Sequence, residues 1–234
     1  MPSQRGREFE TEAIVLKVRT IGENDLWADF LTPDHGRLHG VARHGRKSRK
    51  RFGTVLESMN RVCIRYRETG GLVFLEEAGL ILPAHHLEDG LDGLIAGFYV
   101  VDLVRELLPE RSPDRRVYEL LNETLLHIDR IDRTKENPYA EALMLFEYRF
   151  LDLCGYSPNL KKCLGCGRER NRTEKFFFVY REGGIYCSSC LPGGSSFEPL
   201  SRRTLPRILS RFIEYQLGHP PKSRKFLTER GFYA

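Results

Sequence analysis

Two cysteine pairs, Cys163-Leu-Gly-Cys166 and Cys187-Ser-Ser-Cys190, stand twenty residues apart and carry the strongest chemical signal in the chain. A two-residue gap lets both thiolates of a pair turn toward one ion, and the stretch between is long enough for a β excursion that brings the second pair back. Four thiolates complete a tetrahedron and leave no position for water or substrate. The expected group is therefore one structural zinc ion (Zn), held by Cys163, Cys166, Cys187 and Cys190. Gly165 and Gly167 suit the tight backbone of such a knuckle. Four reduced thiols or two disulfides would use the same residues, but no secretory context accompanies them. Cys63 and Cys154 stand alone, in a strand-like run and at a helix end, where cysteine serves as a small apolar side chain.

A second group is the run Arg43-His-Gly-Arg-Lys-Ser-Arg-Lys-Arg51, with six basic side chains. It has no apolar periodicity, so a mobile loop is expected. Arg43, Arg46, Lys47, Arg49, Lys50 and Arg51 could gather phosphates by charge and counterion release. A solvated loop that only aids solubility is the plain alternative. Charge is uneven along the chain: residues 1–83 carry +3, 84–155 carry −7 and 156–234 carry +9, within a net +5. A polyanion would thus meet selected surfaces and not the whole protein.

The elements that must position these groups change character near residue 84. Before it, Ala13–Val18, Leu26–Leu31, Arg37–Arg43, Arg61–Arg67 and Leu72–Leu75 are short β-prone runs punctuated by Gly22, Pro33, Gly36 and Gly70-Gly71. Five strands in so short a stretch suggest a small barrel, compatible with an OB-fold, and the basic run would connect its third and fourth strands. Trp27, Phe30 and Phe52 could offer stacking surfaces, although burial in the barrel or its rim is the more ordinary use of each.

After residue 84 the period becomes helical. Leu94, Phe98, Val101, Val104 and Leu108 fall on one stripe ended by Pro109. Ser112 as N-cap with Pro113 opens a second helix burying Val117, Leu120, Leu121, Thr124, Leu125 and Ile128. A third helix starts at Asn137-Pro138, turns Leu143, Phe146, Phe150 and Leu153 inward and ends at Gly155. These three should pack together as an all-α domain. A fourth runs from Thr204 to Gly218, and the tail from Pro220 adds Lys222, Arg224 and Lys225. Lys175–Arg181 followed by Gly183-Gly184 reads as a strand and turn feeding the second cysteine pair, with Phe176, Phe177 and Phe178 packed around the metal cage. The expected class is α+β: an N-terminal five-stranded OB-fold β-barrel over 1–83, then an all-α helical domain over 84–234 with a four-cysteine zinc finger inserted at about 159–195.

Enzymatic signatures are missing. There is no Walker A loop, dinucleotide-binding glycine turn, H-E-x-x-H helix or G-x-S-x-G elbow. Adjacent His85 and His86 would point to different sides of an element, which suits a junction better than a shared metal. No leader or apolar run of membrane-spanning length is evident, so a cytoplasmic protein with no membrane partner is expected.

With these residues assembled, the chain resembles the bacterial RecO family of DNA repair and recombination proteins. The resemblance rests on Ala13-Ile14-Val15-Leu16, Gly22-Glu-Asn-Asp25, Leu31-Thr-Pro-Asp-His-Gly36 and Gly45-Arg-Lys-Ser48. It continues in Phe146-Glu-Tyr-Arg-Phe-Leu151, Gly155-Tyr156 with Pro158, Gly183-Gly184 and both cysteine pairs. It implies an OB-fold, a helical domain and an inserted zinc finger. The implied activity is non-enzymatic: binding single- and double-stranded DNA, annealing complementary strands and, with RecR, helping RecA replace single-strand-binding protein, whose tail the family recognises. On that basis Arg43, Arg46, Lys47, Arg49, Lys50 and Arg51 are the expected phosphate contacts, with Arg37 and His39 as secondary candidates on the adjoining strand. Two other classes stay open at this point: a general zinc-containing nucleic-acid binder, and a structural adaptor without annealing activity.

Overall fold

The computed structural model describes residues 6–48, 50–84, 90–132, 134, 137–171 and 173–232. Arg49, His85 and His86, singled out above, lie outside the described residues. Contacts divide the chain into two compact units, Met1–Arg130 and Ile131–Ala234.

In the first unit, β1 (Arg7–Ile21), β2 (Asp25–Thr32), β3 (Gly36–Ala42), β4 (Arg61–Thr69) and β5 (Leu72–Leu82) close a barrel in the order β1-β2-β3-β5-β4. Helices α1 (Leu91–Leu107) and α2 (Arg115–Asp129) follow. Alternation drives the strands: Val62, Ile64 and Tyr66 are buried, while Arg65 and Arg67 face water. β1 serves two neighbours, pairing with β4 over residues 7–14 and with β2 over 14–21. A register shift between Val15 and Lys17 supplies the bend this needs. Ala13 and Val15 enter the barrel core with Phe30, Leu38, Ile64 and Leu75. Ile14 and Leu16 are buried on the other face, where α1 contacts β1 and α2 contacts β2. An unbroken apolar run therefore becomes a strand covered on both sides. The barrel closes between β3 and β5, which are parallel and meet at Val41 and Phe74.

The helices depart from expectation in phase and grouping. Phe98 is exposed, whereas Val101, Val104 and Leu108 of the expected stripe are buried, joined by Ala96, Tyr99, Val100 and Leu103. The segment is apolar nearly all round, so its periodicity left the phase open. In α2 the expected stripe is buried, but Asp114 caps the helix instead of Ser112, accepting the Arg116 N–H at 2.9 Å. The three central helices do not form one group. α1 and α2 belong with the barrel's unit, because Arg105 of α1 and the segment before α2 bond to its strands.

The second unit contains α3 (Ala140–Leu153), β6 (Asn159–Cys163), β7 (Phe176–Val179), β8 (Gly184–Cys187), β9 (Phe197–Pro199), α4 (Leu205–Leu217) and α5 (Arg224–Glu229). Its sheet has the order β6-β8-β7-β9. α3 buries Leu143, Phe146 and Phe150 as expected, with Leu151 buried in place of the half-exposed Leu153. Gly155 (φ +83°) and Gly218 (φ +77°) end α3 and α4 in the left-handed region. Phe178 meets Phe212 of α4 edge-on, ring centroids 5.3 Å apart, which ties the sheet to the helices. No helix among the described residues is long and apolar enough to cross a membrane.

Candidate nucleic-acid interface and metal site

β6 and β8 are neighbours and end at Cys163 and Cys187, so two strand ends deliver the first cysteine of each pair to one place. Turns then bring Cys166 and Cys190 around: Gly167 N–H donates to Cys163 C=O at 2.9 Å, and Cys190 N–H to Cys187 C=O at 3.0 Å. A Cβ on Gly165 would lie 2.8 Å from Cys190 Cβ and 3.2 Å from its Sγ, which explains the glycine. All four Sγ atoms lie within 4.8 Å of one another. Cys187 Sγ is 3.8 Å from that of Cys163 and 3.9 Å from that of Cys166. Tetrahedral metal–thiolate bonds of about 2.3 Å correspond to S–S edges of about 3.8 Å. Donor set and spacing thus fit one metal ion.

The electrostatics prepare the site. Burial by itself would raise the Cys163 thiol, but backbone N–H groups of Cys187, Cys166 and Gly165 outweigh it and hold the thiol down to about 6. The Cys187 N–H approaches Cys163 Sγ at 3.3 Å. Cys190 is pushed up to about 12 by hydrogen bonding with Cys187 first and then Cys166. A metal ion would supply the positive charge that lets all four sulfurs stand together as thiolates. Phe176 and Phe178 are buried beside this module, and Phe177 packs edge-on against Phe197 at 5.4 Å.

The basic run, expected to be mobile for want of periodicity, is tied down in its described residues. Gly45 N–H bonds to Ala42 C=O (3.1 Å), Lys47 N–H to His44 C=O (3.2 Å) and Phe52 N–H to Ser48 C=O (3.1 Å). Arg46 reaches the β1–β2 turn through its N–H to Asn24 C=O (3.1 Å) and its Nη1 to Glu23 C=O (3.2 Å). Arg51 closes the loop on itself, from Nε to Ser48 Oγ (2.9 Å) and from Nη2 to Arg43 C=O (2.7 Å). Phe52 anchors the far end in the barrel core. Local turns and one buried ring do what an amphipathic stripe would otherwise do. Arg43, Arg46, Lys47 and Lys50 remain exposed on this framework.

Arg43 and Arg51 meet two residues that sequence reasoning did not select, Arg65 and Arg67 of β4. Together with Thr69, Phe74 and Glu76 they line a groove of ≈ 540 Å³. Glu76 pairs with Arg65 (3.1 Å) and Arg67 (3.4 Å), and Glu77 pairs with Arg65 (2.9 Å), leaving four guanidiniums against two carboxylates. Alternation along β4 turns both outward, and the fold brings them to the loop.

Arg37 and His39 are engaged differently. Arg37 contacts the buried Asp29 (3.4 Å) and Glu110 (3.4 Å), and His39 Nδ1 lies 3.2 Å from Glu110 Oε1. Acids already face both. Of the three candidate stacking rings, Phe30 and Phe52 are buried in the barrel and Trp27 stays half-buried on its outside.

A closed β1-β2-β3-β5-β4 barrel with an arginine-lined groove, carried in one chain with a four-thiolate module, defines an OB-type barrel protein with a metal finger. Comparison with known proteins narrows that class. Residues 7–84 match the family model described as Recombination protein O N terminal, and residues 89–206 the one described as Recombination protein O C terminal. The DNA repair protein RecO of Syntrophus aciditrophicus is 33% identical over 86% of this chain and 77% of its own length. That of Syntrophobacter fumaroxidans is 35% identical over 76% and 69%, and that of Syntrophotalea carbinolica 30% identical over 94% and 93%. The chain belongs to the RecO family of DNA repair proteins.

Proposed function

We propose that this chain is a DNA-binding recombination mediator. It binds single- and double-stranded DNA, anneals complementary strands and, with RecR, helps load RecA onto DNA coated by single-strand-binding protein. One observation carries the binding step: exposed Arg43, Arg46, Lys47 and Lys50 stand on an anchored loop beside the groove of Arg43, Arg51, Arg65 and Arg67. Two DNA strands repel through their phosphates, and cationic side chains that displace counterions lower that barrier without any covalent step. Arg49 belongs to the same basic run. Arg37 and His39 serve mainly to hold Asp29 of the barrel and Glu110 of the segment between α1 and α2 in place, since these acids already occupy them.

In this proposal residues 1–83 form the DNA-binding domain, and 84–234 supply the helices and the finger at about 159–195, with α1 and α2 grouped with the barrel. The ion is zinc, because an all-sulfur, closed tetrahedral set suits a structural ion without redox chemistry. Cys163, Cys166, Cys187 and Cys190 would hold it, and its contribution is stability of the finger. Membership of the family supports RecR, the tail of single-strand-binding protein and, indirectly, RecA as partners, and the cytoplasm as the place of action.

The test is annealing of complementary strands, each precoated with the cognate single-strand-binding protein. Acceleration by the native chain is expected, with most of it lost when Arg46, Lys47 and Lys50 are changed to Glu. No acceleration by folded, metal-loaded protein would reduce the chain to a plain binder or adaptor.

A further inference from the structure

The strand register places one row of side chains across all five strands. Arg19 of β1 is opposite Trp27 of β2, Trp27 opposite Val41 of β3, Val41 opposite Phe74 of β5, and Phe74 opposite Arg67 of β4. Residues directly opposite share a face. Their sequence neighbours Ala28, Ala42, Val73, Leu75 and Tyr66 fill the interior, so the row looks outward. Two aromatic rings thus stand outside the barrel, two strand spacings or about 10 Å apart. Phe74 also lines the arginine groove, which makes the row and the groove one surface.

Each ring carries a removable cover. Arg19 Cζ lies 4.3 Å from the centre of the Trp27 ring, and Arg43 Cζ 4.6 Å from that of Phe74. Both arginines are exposed. On the β3 side, His39 stacks on the indole at 5.5 Å and 24°, bracing it, while Arg19 comes from the β1 side. An exposed cation–π contact is worth only about a two- to fivefold factor in an equilibrium, whereas a base stacked on an aromatic ring is worth about five- to a hundredfold. A base therefore displaces the guanidinium, which then turns to a phosphate.

We propose that Trp27 and Phe74 are stacking platforms for bases of single-stranded DNA, with Arg19 and Arg43 as covers that move from ring to phosphate on binding. The proposal rests on the DNA-binding function above and adds a strand preference to it. Bases of a duplex are already stacked and gain nothing from the rings; those of a single strand do.

Trp27 is the chain's one tryptophan, so its emission reports on this row alone. The intact protein is titrated with oligothymidylate, an abasic strand of equal length and a duplex of equal length, binding being followed separately by anisotropy of labelled DNA. Oligothymidylate is expected to quench Trp27, while the abasic strand and duplex bind without quenching. The abasic strand should bind about tenfold more weakly than oligothymidylate, and Trp27→Ala with Phe74→Ala should lower single-strand affinity by about tenfold or more and duplex affinity far less. Tight single-strand binding with unchanged emission, or equal affinity for the abasic strand, would overturn the stacking row and leave the charge-based function standing. Failure to bind any of the three would overturn both. If the double variant does not fold, the abasic comparison on the native chain still decides.

Discussion

Arg105 of α1 donates its Nε–H to Asp29 Oδ2 of β2 at 3.2 Å, joining helix to barrel through a carboxylate that is 2% exposed. Arg37 reaches the same oxygen from β3 at 3.4 Å. The other oxygen, Oδ1, has no hydrogen-bond partner among the described residues. Burial accordingly prevails over the two guanidiniums and raises the Asp29 carboxyl above its ordinary value of 3.8. An acid raised in the folded state holds its proton more tightly there than in the unfolded chain. Its contribution to stability is full below the unfolded value and is lost as pH rises through the folded one.

Arg105→Met should therefore destabilise the barrel unit by about 2 kcal/mol or more at neutral pH, because it leaves a buried carboxylate with one cation fewer. The loss should shrink at acid pH, since a carboxyl that binds its proton more readily than usual needs no counter-charge once protonated. Urea unfolding at the two pH values measures this. Equal losses would assign Arg105 a packing role only, and Asp29→Asn should flatten the pH dependence in either background.

Removing the metal should lower the melting temperature of the finger's unit while the barrel keeps its far-ultraviolet signature. Cys163→Ala should cost more than Cys166→Ala, since Cys163 is buried and receives the Cys187 N–H, whereas Cys166 is exposed and water can take its place. Metal content by absorbance of a released-zinc indicator, together with calorimetry, checks both. Uptake by the metal-free chain should weaken as pH falls through about 6, where the Cys163 thiolate is protonated.

Reversing the charges of Lys47 and Lys50 should weaken binding to all DNA sequences alike. Each lost phosphate contact should change the slope of log affinity against log salt by about 0.7 for a single strand and about 0.9 for a duplex. Arg51→Lys should act differently. It removes the bonds to Ser48 and Arg43 that shape the loop, so affinity should fall even though charge is conserved. Unchanged slopes in the first pair would remove those lysines from the interface.

Gly36 combines φ +67° with a crowded position: an added Cβ would lie 2.5 Å from the Ser112 carbonyl and 2.8 Å from Pro113 N. Backbone cannot swing aside as a side-chain tip can. Gly36→Ala should destabilise the barrel unit by about 3 kcal/mol, the sum of left-handed strain and overpacking. Gly22 has φ +58° with nothing within 4 Å of its Cβ, so Gly22→Ala should cost about 1 kcal/mol. Denaturant midpoints of the two variants separate strain from crowding.

Features that depend on near neighbours were readable in the order of residues alone. Cys163, Cys166, Cys187 and Cys190 were identifiable because a two-residue gap is a local instruction to the backbone, and the five strands because alternation is a period of two. The stripe of α2 was legible because a helical period is also local, while α1, apolar on nearly every side, concealed its phase. Features shared by distant segments needed the folded chain. Phe30, Phe52 and Trp27 looked alike as candidate stacking rings, and only closure of the barrel put the first two inside and the third outside. Arg65 and Arg67 face outward by alternation, yet they become a groove only where β4, β5 and the β3–β4 loop come together. The row from Arg19 through Trp27 and Phe74 to Arg67 depends on register in four strand pairings. A period of two says which face a side chain takes, and only pairing across the sheet says which residue stands beside it.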